Sequence, residues 1–172
     1  MGADDALLVV IKVMNKLKKE GVVLDYAIYG DMAVMKYTEL VFTTGLDIIV
    51  SFEQSPLINL TPIYDEFKKL GYQRKVQHII VEDFPVEFMV ADELELEAIE
   101  NANIVSVGGI KTKILKPEYL IALSVKAGRT KDRMKIDLLL SQVTIDVTKL
   151  KDVLVRYSLE SNFDGIYKWP ER

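Results

Sequence analysis

The residues able to do chemistry in this chain are almost all carboxylates and primary or guanidinium cations. There is no cysteine and one histidine, His78. Thiolate metal sites and disulfides are therefore excluded, and so is a zinc site built on several histidines. Nucleophilic triads that need an imidazole would have to run through His78 alone. A metal would sit on oxygen ligands, which selects magnesium, manganese or calcium. The acids that stand out are Asp31 directly after Gly30, Asp47 inside an apolar run, and Glu87 between Val86 and Phe88. Asp31 reads first as a helix N-cap, because Asp caps well and the next residues have a helical pattern. Asp47 reads as the outward residue of a half-buried strand. Glu87, with Glu82 and Asp83, reads equally as surface charge. The cations Arg129, Lys131, Arg133 and Lys135 read as a solvated helix start and face, and His78 as a packed or surface side chain.

Elements that could hold these residues follow from periodicity. Residues 7–17 place Leu7, Val10, Ile11, Met14 and Leu17 on one helical face, with Asp4 and Asp5 before them and Gly21 after. Residues 24–29 read as a strand, 32–37 as a short helix, and 46–52 (LDIIVSF) as the strongest strand, with Leu46, Ile48 and Val50 alternating against Asp47, Ile49 and Ser51. A helix over 60–70, strands over 72–77, 78–81 and 86–90, and an acidic helix over 93–101 come next. Gly108-Gly109 joins strands at 104–107 and 112–115 in a hairpin. Helices over 117–126, 131–140 and 147–157 end the chain. The order predicts an α+β fold with a mixed sheet, organised as a single domain over 1–172 with a core near 24–115 and a helical part near 116–172.

Bulk properties narrow the function. Apolar residues make up 49% and charged residues 28% of 172 residues, which is ordinary for a globular protein. A net charge of −4 argues against a long basic face and tight non-specific DNA binding. The start MGADD lacks the positive charge of a signal peptide. The apolar stretch 7–14 is too short for a bilayer and contains Lys12. The expectation is a cytoplasmic protein with no membrane partner.

The segments YAIYGDMAVMKY and FTTGLDIIV, followed by VEFMV at 86–90, resemble the nucleotidyltransferase superfamily, particularly its minimal nucleotidyltransferase and AbiEii-like branches. In that family a strand ends in glycine, a helix follows, and later strands carry the metal-binding acids. The stretch ILKPEYLIALSVKAGRTKDRMKIDLLL at 114–140 resembles the family's helix pair with its Ala-Gly-Arg-x-Lys-Asp turn. Together these cover most of residues 24–140.

The resemblance implies a definite chemistry. Nucleotidyl transfer moves a nucleoside monophosphate from a nucleoside triphosphate to a hydroxyl. Carboxylate-held magnesium or manganese clamps the attacking and leaving oxygens, and a glycine lets backbone N–H groups approach phosphate at a helix start. Carried over, Asp47 and Glu87 become catalytic metal ligands, with Asp31 replacing a missing third acid. Gly30, Asp31, Arg129 and Lys131 become nucleotide contacts. The family's first strand acid falls on Gly45, which supplies no ligand, and its helix lysine falls on Ser124, with Lys126 two residues on. The expected partners are a nucleoside triphosphate and a protein, tRNA or small-molecule acceptor. The alternative is an inactive binding module of the same fold, or a partner subunit in a toxin–antitoxin pair.

Overall fold

The computed structural model describes residues 2–39, 43–53 and 59–169. Met1, and Phe42 at the head of the second motif, lie outside the described residues. Helix α1 (Ala3–Lys19) has Asp4 and Asp5 in its first turn and Lys16, Lys18 and Lys19 in its last, each matching the helix dipole. It buries Ala6, Leu7, Val10, Ile11, Val13, Met14 and Leu17, the face expected from spacing. Then follow β1 (Asp25–Tyr29), α2 (Gly30–Tyr37), β2 (Leu46–Ser51), α3 (Thr61–Lys69), β3 (Gln73–Lys75), β4 (His78–Val81), β5 (Phe84–Val90), α4 (Glu93–Glu100), β6 (Asn103–Val107) and β7 (Ile110–Ile114). Helices α5 (Pro117–Ala127), α6 (Thr130–Gln142), α7 (Val147–Arg156) and α8 (Glu160–Asp164) complete the order. Pro117 opens α5, where a missing N–H costs nothing.

The strands form one mixed sheet in the order β3-β4-β5-β2-β1-β7-β6. Strand β2 runs parallel to β5 and antiparallel to β1, and β1 runs parallel to β7. The α+β expectation holds, and the strands carrying Tyr29, Asp47 and Glu87 are immediate neighbours. One expectation changes: β2 is not half-buried. Leu46, Ile48, Ile49 and Val50 are all fully buried: α2 and α4 pack on β1 and β2 with α5 against both, and α1 packs on β4 and β7 of the same sheet. Central strands covered on both faces lose the apolar–polar alternation. The edge strand β3 is fully exposed and reads Gln-Arg-Lys, charges that discourage edge-to-edge pairing.

Tight turns set the register of the outer strands. Gly108 and Gly109 both have positive φ (56° and 81°), as a two-residue hairpin turn of the primed type requires. Glu82 and Asp83 also have positive φ (49° and 65°). They form the β4–β5 turn, where Asp83 is exposed as a surface charge and Glu82 accepts from the Tyr72 hydroxyl. Helix α8 has no counterpart in the periodicity reading. It is one short turn, held by the buried Phe163 and its ring contact with Trp169 at 4.6 Å between centroids.

Candidate active site

Strand pairing aligns the site. Tyr29 is the register partner of Asp47, Asp47 of Glu87, and Glu87 of His78. Paired residues on neighbouring strands share a sheet face, so these four form a row across β1, β2, β5 and β4. Asp47 and Glu87 are thus side by side. Beyond them His78 Nε2 lies 3.5 Å from Glu87 Oε2, which makes it a neighbour of the acid pair at its outer edge.

Gly30 follows Tyr29 and is the first residue of α2. Its φ is +68°, and a Cβ built on it would lie 2.2 Å from Asp47 Oδ2. Only glycine permits both the left-handed backbone and that approach. Asp31 is not the helix cap. Tyr29 occupies the cap position, and no side chain caps this helix. The Asp31 carboxylate instead pairs with Lys135 Nζ at 3.1 Å.

The opposite wall comes from α5, α6 and the turn between them. Gly128 ends α5 in the left-handed conformation, and Arg129 begins the approach to α6. Arg129 Nε donates to Asp132 Oδ2 at 2.8 Å, and Lys135 Nζ lies 3.3 Å from Asp132 Oδ1. The Lys135 side chain is only 7% exposed. The expected solvated face therefore holds for Arg133 but not for Lys135, because α6 turns that residue inward onto Asp31. The i, i+3 spacing of Asp132 and Lys135 was the visible signal, but spacing alone does not say which helix face is covered.

Together these elements enclose a cleft of about 520 Å³. It brings together Gly30, Asp47, Glu87, Arg129 and Lys131 from the expected set, with Lys135 and Asp132 beside them. Asp31 reaches this group through Lys135. Sequence reasoning missed Tyr29, Met89 and Glu95. Glu95 sits in the first turn of α4, and its side chain is 5% exposed, paired with Lys126 Nζ at 2.8 Å. In a helix reading ELELEAIE, nothing marks which glutamate faces inward.

Burial pushes the Asp47 carboxyl up to about 6; Lys135 opposes the rise, and Glu87 and Asp31 add to it. The Tyr29 phenol is raised by burial first and then by Asp47 and Glu87. Burial also works against the Asp132 charge, yet Arg129 and Lys135 outweigh it and hold that carboxyl below the usual range. The floor of the cleft thus resists negative charge, while its rim carries cations.

Asp47 and Glu87, adjacent on neighbouring strands and both lining the cleft, are the carboxylates that would hold a divalent cation. Magnesium commonly takes one or two carboxylates and completes its shell with water and phosphate oxygens. Asp31 does not join them in this arrangement, because its carboxylate is engaged by Lys135. Among the described residues no group of three or more His, Cys, Asp or Glu side chains is disposed around a common metal position. The residues therefore fit a single ion on two carboxylates, and not a three-acid set.

No family model matches the chain, and no curated protein matches it in sequence. Solved structures do match it in fold. An antigenic nucleotidyltransferase-like protein from Paracoccidioides brasiliensis is similar over 98% of this chain and 96% of its own, with a TM-score of 0.58 and 16% identity. The antibiotic-resistance factor ANT(2'')-Ia is similar in its solution structure over 92% of this chain and 94% of its own, with a TM-score of 0.54 and 13% identity. Its crystal structure in complex with adenylyl-2''-tobramycin gives a TM-score of 0.53 at 14% identity, over 90% of this chain and 97% of that one. The fold is therefore the nucleotidyltransferase-like α+β fold. No described helix is long and apolar enough to cross a membrane.

Proposed function

We propose that the cleft binds a nucleoside triphosphate with magnesium or manganese and slowly transfers its nucleotidyl group to a hydroxyl of a protein, an RNA or a small molecule. The observation that carries this reading is the side-by-side placement of Asp47 and Glu87, beside Gly30 and facing Arg129 and Lys131. Arg129 and Lys131 supply charge for the phosphates, and the start of α2 supplies N–H groups beside a glycine. A divalent ion on Asp47 and Glu87 would polarise the phosphoryl oxygens. In the transfer, the acceptor oxygen bonds to the α-phosphorus, pyrophosphate leaves, and the hydroxyl proton passes to solvent water. The likeness in fold to ANT(2'')-Ia, solved in complex with adenylyl-2''-tobramycin, supports transfer of an adenylyl group to a small molecule. The reading places the protein in the cytoplasm, where nucleoside triphosphates are abundant.

A second reading has its own observation. Lys135 occupies Asp31, and Gly45 lies beside Pro85 with no carboxylate to offer. On that reading the chain binds nucleotide without turnover, as a regulatory or toxin–antitoxin partner subunit. Incubation with α-labelled nucleoside triphosphates, manganese or magnesium, and total protein and RNA separates the two. Slow labelling of an acceptor, lost in Asp47→Asn, supports the transferase. Nucleotide binding without any label supports the partner subunit. No binding of any nucleotide defeats both.

A further inference from the structure

The two edges of the sheet are built differently. Strand β3 carries Arg74 and Lys75, charges that oppose pairing with another chain. Strand β6, at the other edge, reads Asn-Ile-Val-Ser-Val, with no charge and no proline. Its Ile104 is 67% exposed. A neutral, unguarded edge of this kind is a template for a further strand.

The backbone of β6 is aimed for such pairing. The Leu115 N–H donates to the Ile28 carbonyl of β1 at 3.1 Å. Backbone groups alternate in direction along a strand, so Ile110, Thr112 and Ile114 turn theirs toward β6. Their register partners are Val107, Val105 and Asn103. Ile104 and Ser106 therefore point both N–H and C=O away from the sheet, and among the described residues no protein group meets them. Beside this edge, Val105 and Val107 line an apolar groove of about 210 Å³ with Leu7, Met32 and Met35.

We infer that β6 pairs antiparallel with β6 of a second copy of the chain, about a two-fold axis at Val105, and joins the two sheets into one. In that register Ile104 of each copy lies opposite Ser106 of the other, and the two pairs exchange four hydrogen bonds. Asn103 lies opposite Val107, and no like charges meet. An axis at Ile104 would set Ser106 against Ala102, before the strand begins, and an axis at Ser106 would set Ile104 against Gly108 in the hairpin turn. A foreign strand would need a matching sequence, whereas the second copy supplies this match by symmetry. The pairing also makes the apolar grooves of the two copies continuous on one sheet face. The groove has one acid and one base at its rim, Asp4 and Lys36, so the copies meet there without net charge. Lys111 and Lys113 stand on β7, three strand spacings or about 14 Å from their counterparts, which exceeds the screening length of about 8 Å.

Pairing along so short a strand buries less than the roughly 1,200 Å² of a stable interface, so the dimer depends on concentration. Analytical ultracentrifugation of the full chain should show the mass rising toward twice the monomer as concentration increases. Ser106→Pro removes an outward N–H and leaves the ladder to β7 intact, and Ile104→Lys charges the edge. Both variants should remain monomeric at the same concentrations, with thermal unfolding confirming that each folds. The chain has no cysteine, so Val105→Cys places a single thiol on the axis. Its pair is of the non-hydrogen-bonded kind, with Cα atoms about 4.5 Å apart, within reach of a disulfide. Mild oxidation should link Val105→Cys into a dimer. It should not link Val107→Cys, whose copies lie about 14 Å apart in this register. Equal cross-linking of the two cysteine variants, or a dimer that persists in both edge variants, would overturn the inference. A chain monomeric at every concentration, with no Val105→Cys cross-link, would overturn it too and leave the edge to a strand of another protein.

Discussion

The backbone of Gly30 and the carboxylate of Asp47 are packed so closely that a single added carbon would collide with the acid. A Cβ at Gly30 would lie 2.2 Å from Asp47 Oδ2, 3.0 Å from its Cγ and 3.1 Å from its Cβ. The glycine at the end of β1 thus fixes where the acid on β2 can point. Gly30→Ala is expected to lose about 1–2 kcal/mol from the left-handed backbone alone, and more from displacing Asp47. Chemical denaturation should show that loss. Manganese and nucleotide binding should fall by more than the stability change accounts for, because the carboxylate is moved.

Asp47 makes stability fall as pH rises. Its carboxyl is raised from 3.8 to about 6 in the folded protein, chiefly by burial. The folded state therefore holds this proton more tightly than the unfolded chain. The contribution of Asp47 is most favourable below 3.8 and is lost as pH climbs through about 6. The full difference is on the order of 2–3 kcal/mol. Asp132 and Asp25 have lowered values and slope the opposite way, so the clean readout is wild type minus Asp47→Asn. Above pH 7 the variant should be the more stable protein, and below pH 4 the two should converge. An identical slope in both proteins would refute the burial assignment.

Lys135 is the cation that holds the acid wall together. Removing it by Lys135→Met takes the partner from Asp31 and one of two partners from Asp132, whose side chain is 3% exposed. Breaking a buried pair from one side costs about 3–5 kcal/mol, and the retained Arg129 contact places this case near the lower figure. NMR titration should show the Asp47 carboxyl moving above about 6, since Lys135 opposes the rise more strongly than Lys131 does. Manganese affinity should increase, because Asp31 is released toward the acid pair. Lys135→Arg should leave the titration near its wild-type position.

Gly45 tests whether the metal site is short of one ligand. It sits two residues before Asp47, one residue ahead of β2, with Pro85 beside it. Its φ does not fall in the left-handed range, so a side chain brings no backbone strain there. The added Cβ would lie 3.1 Å from the Pro85 carbonyl oxygen, a close but adjustable contact. Gly45→Asp and Gly45→Asn should therefore lose similar stability in chelator. With manganese, only Gly45→Asp should recover and exceed the wild-type thermal shift, since a ligand bound by the folded state alone stabilises it by mass action. Equal responses from the two variants would remove Gly45 from the metal site.

The sequence by itself determined the α+β class, most element positions, and the acids of the floor. Those features are local: the helical stripe of α1, the Gly108-Gly109 hairpin, and the strands around Asp47 and Glu87 are written in spacing and turn residues. Asp47 and Glu87 could be paired only by resemblance, because they stand forty positions apart and a parallel register between β2 and β5 leaves no local trace. Tertiary structure alone decided the rest. Asp31 looked like a cap until Lys135 was found against it, from a helix about a hundred residues away. Lys135 looked like part of a solvated face until α6 was seen to turn it inward onto Asp31 and Asp132, and nothing in the acidic helix singled out Glu95 before its pairing with Lys126. Charged side chains on short helices carry no pattern that distinguishes solvent from a cleft. Burial is settled by which elements pack above them, and that is a property of the assembled fold.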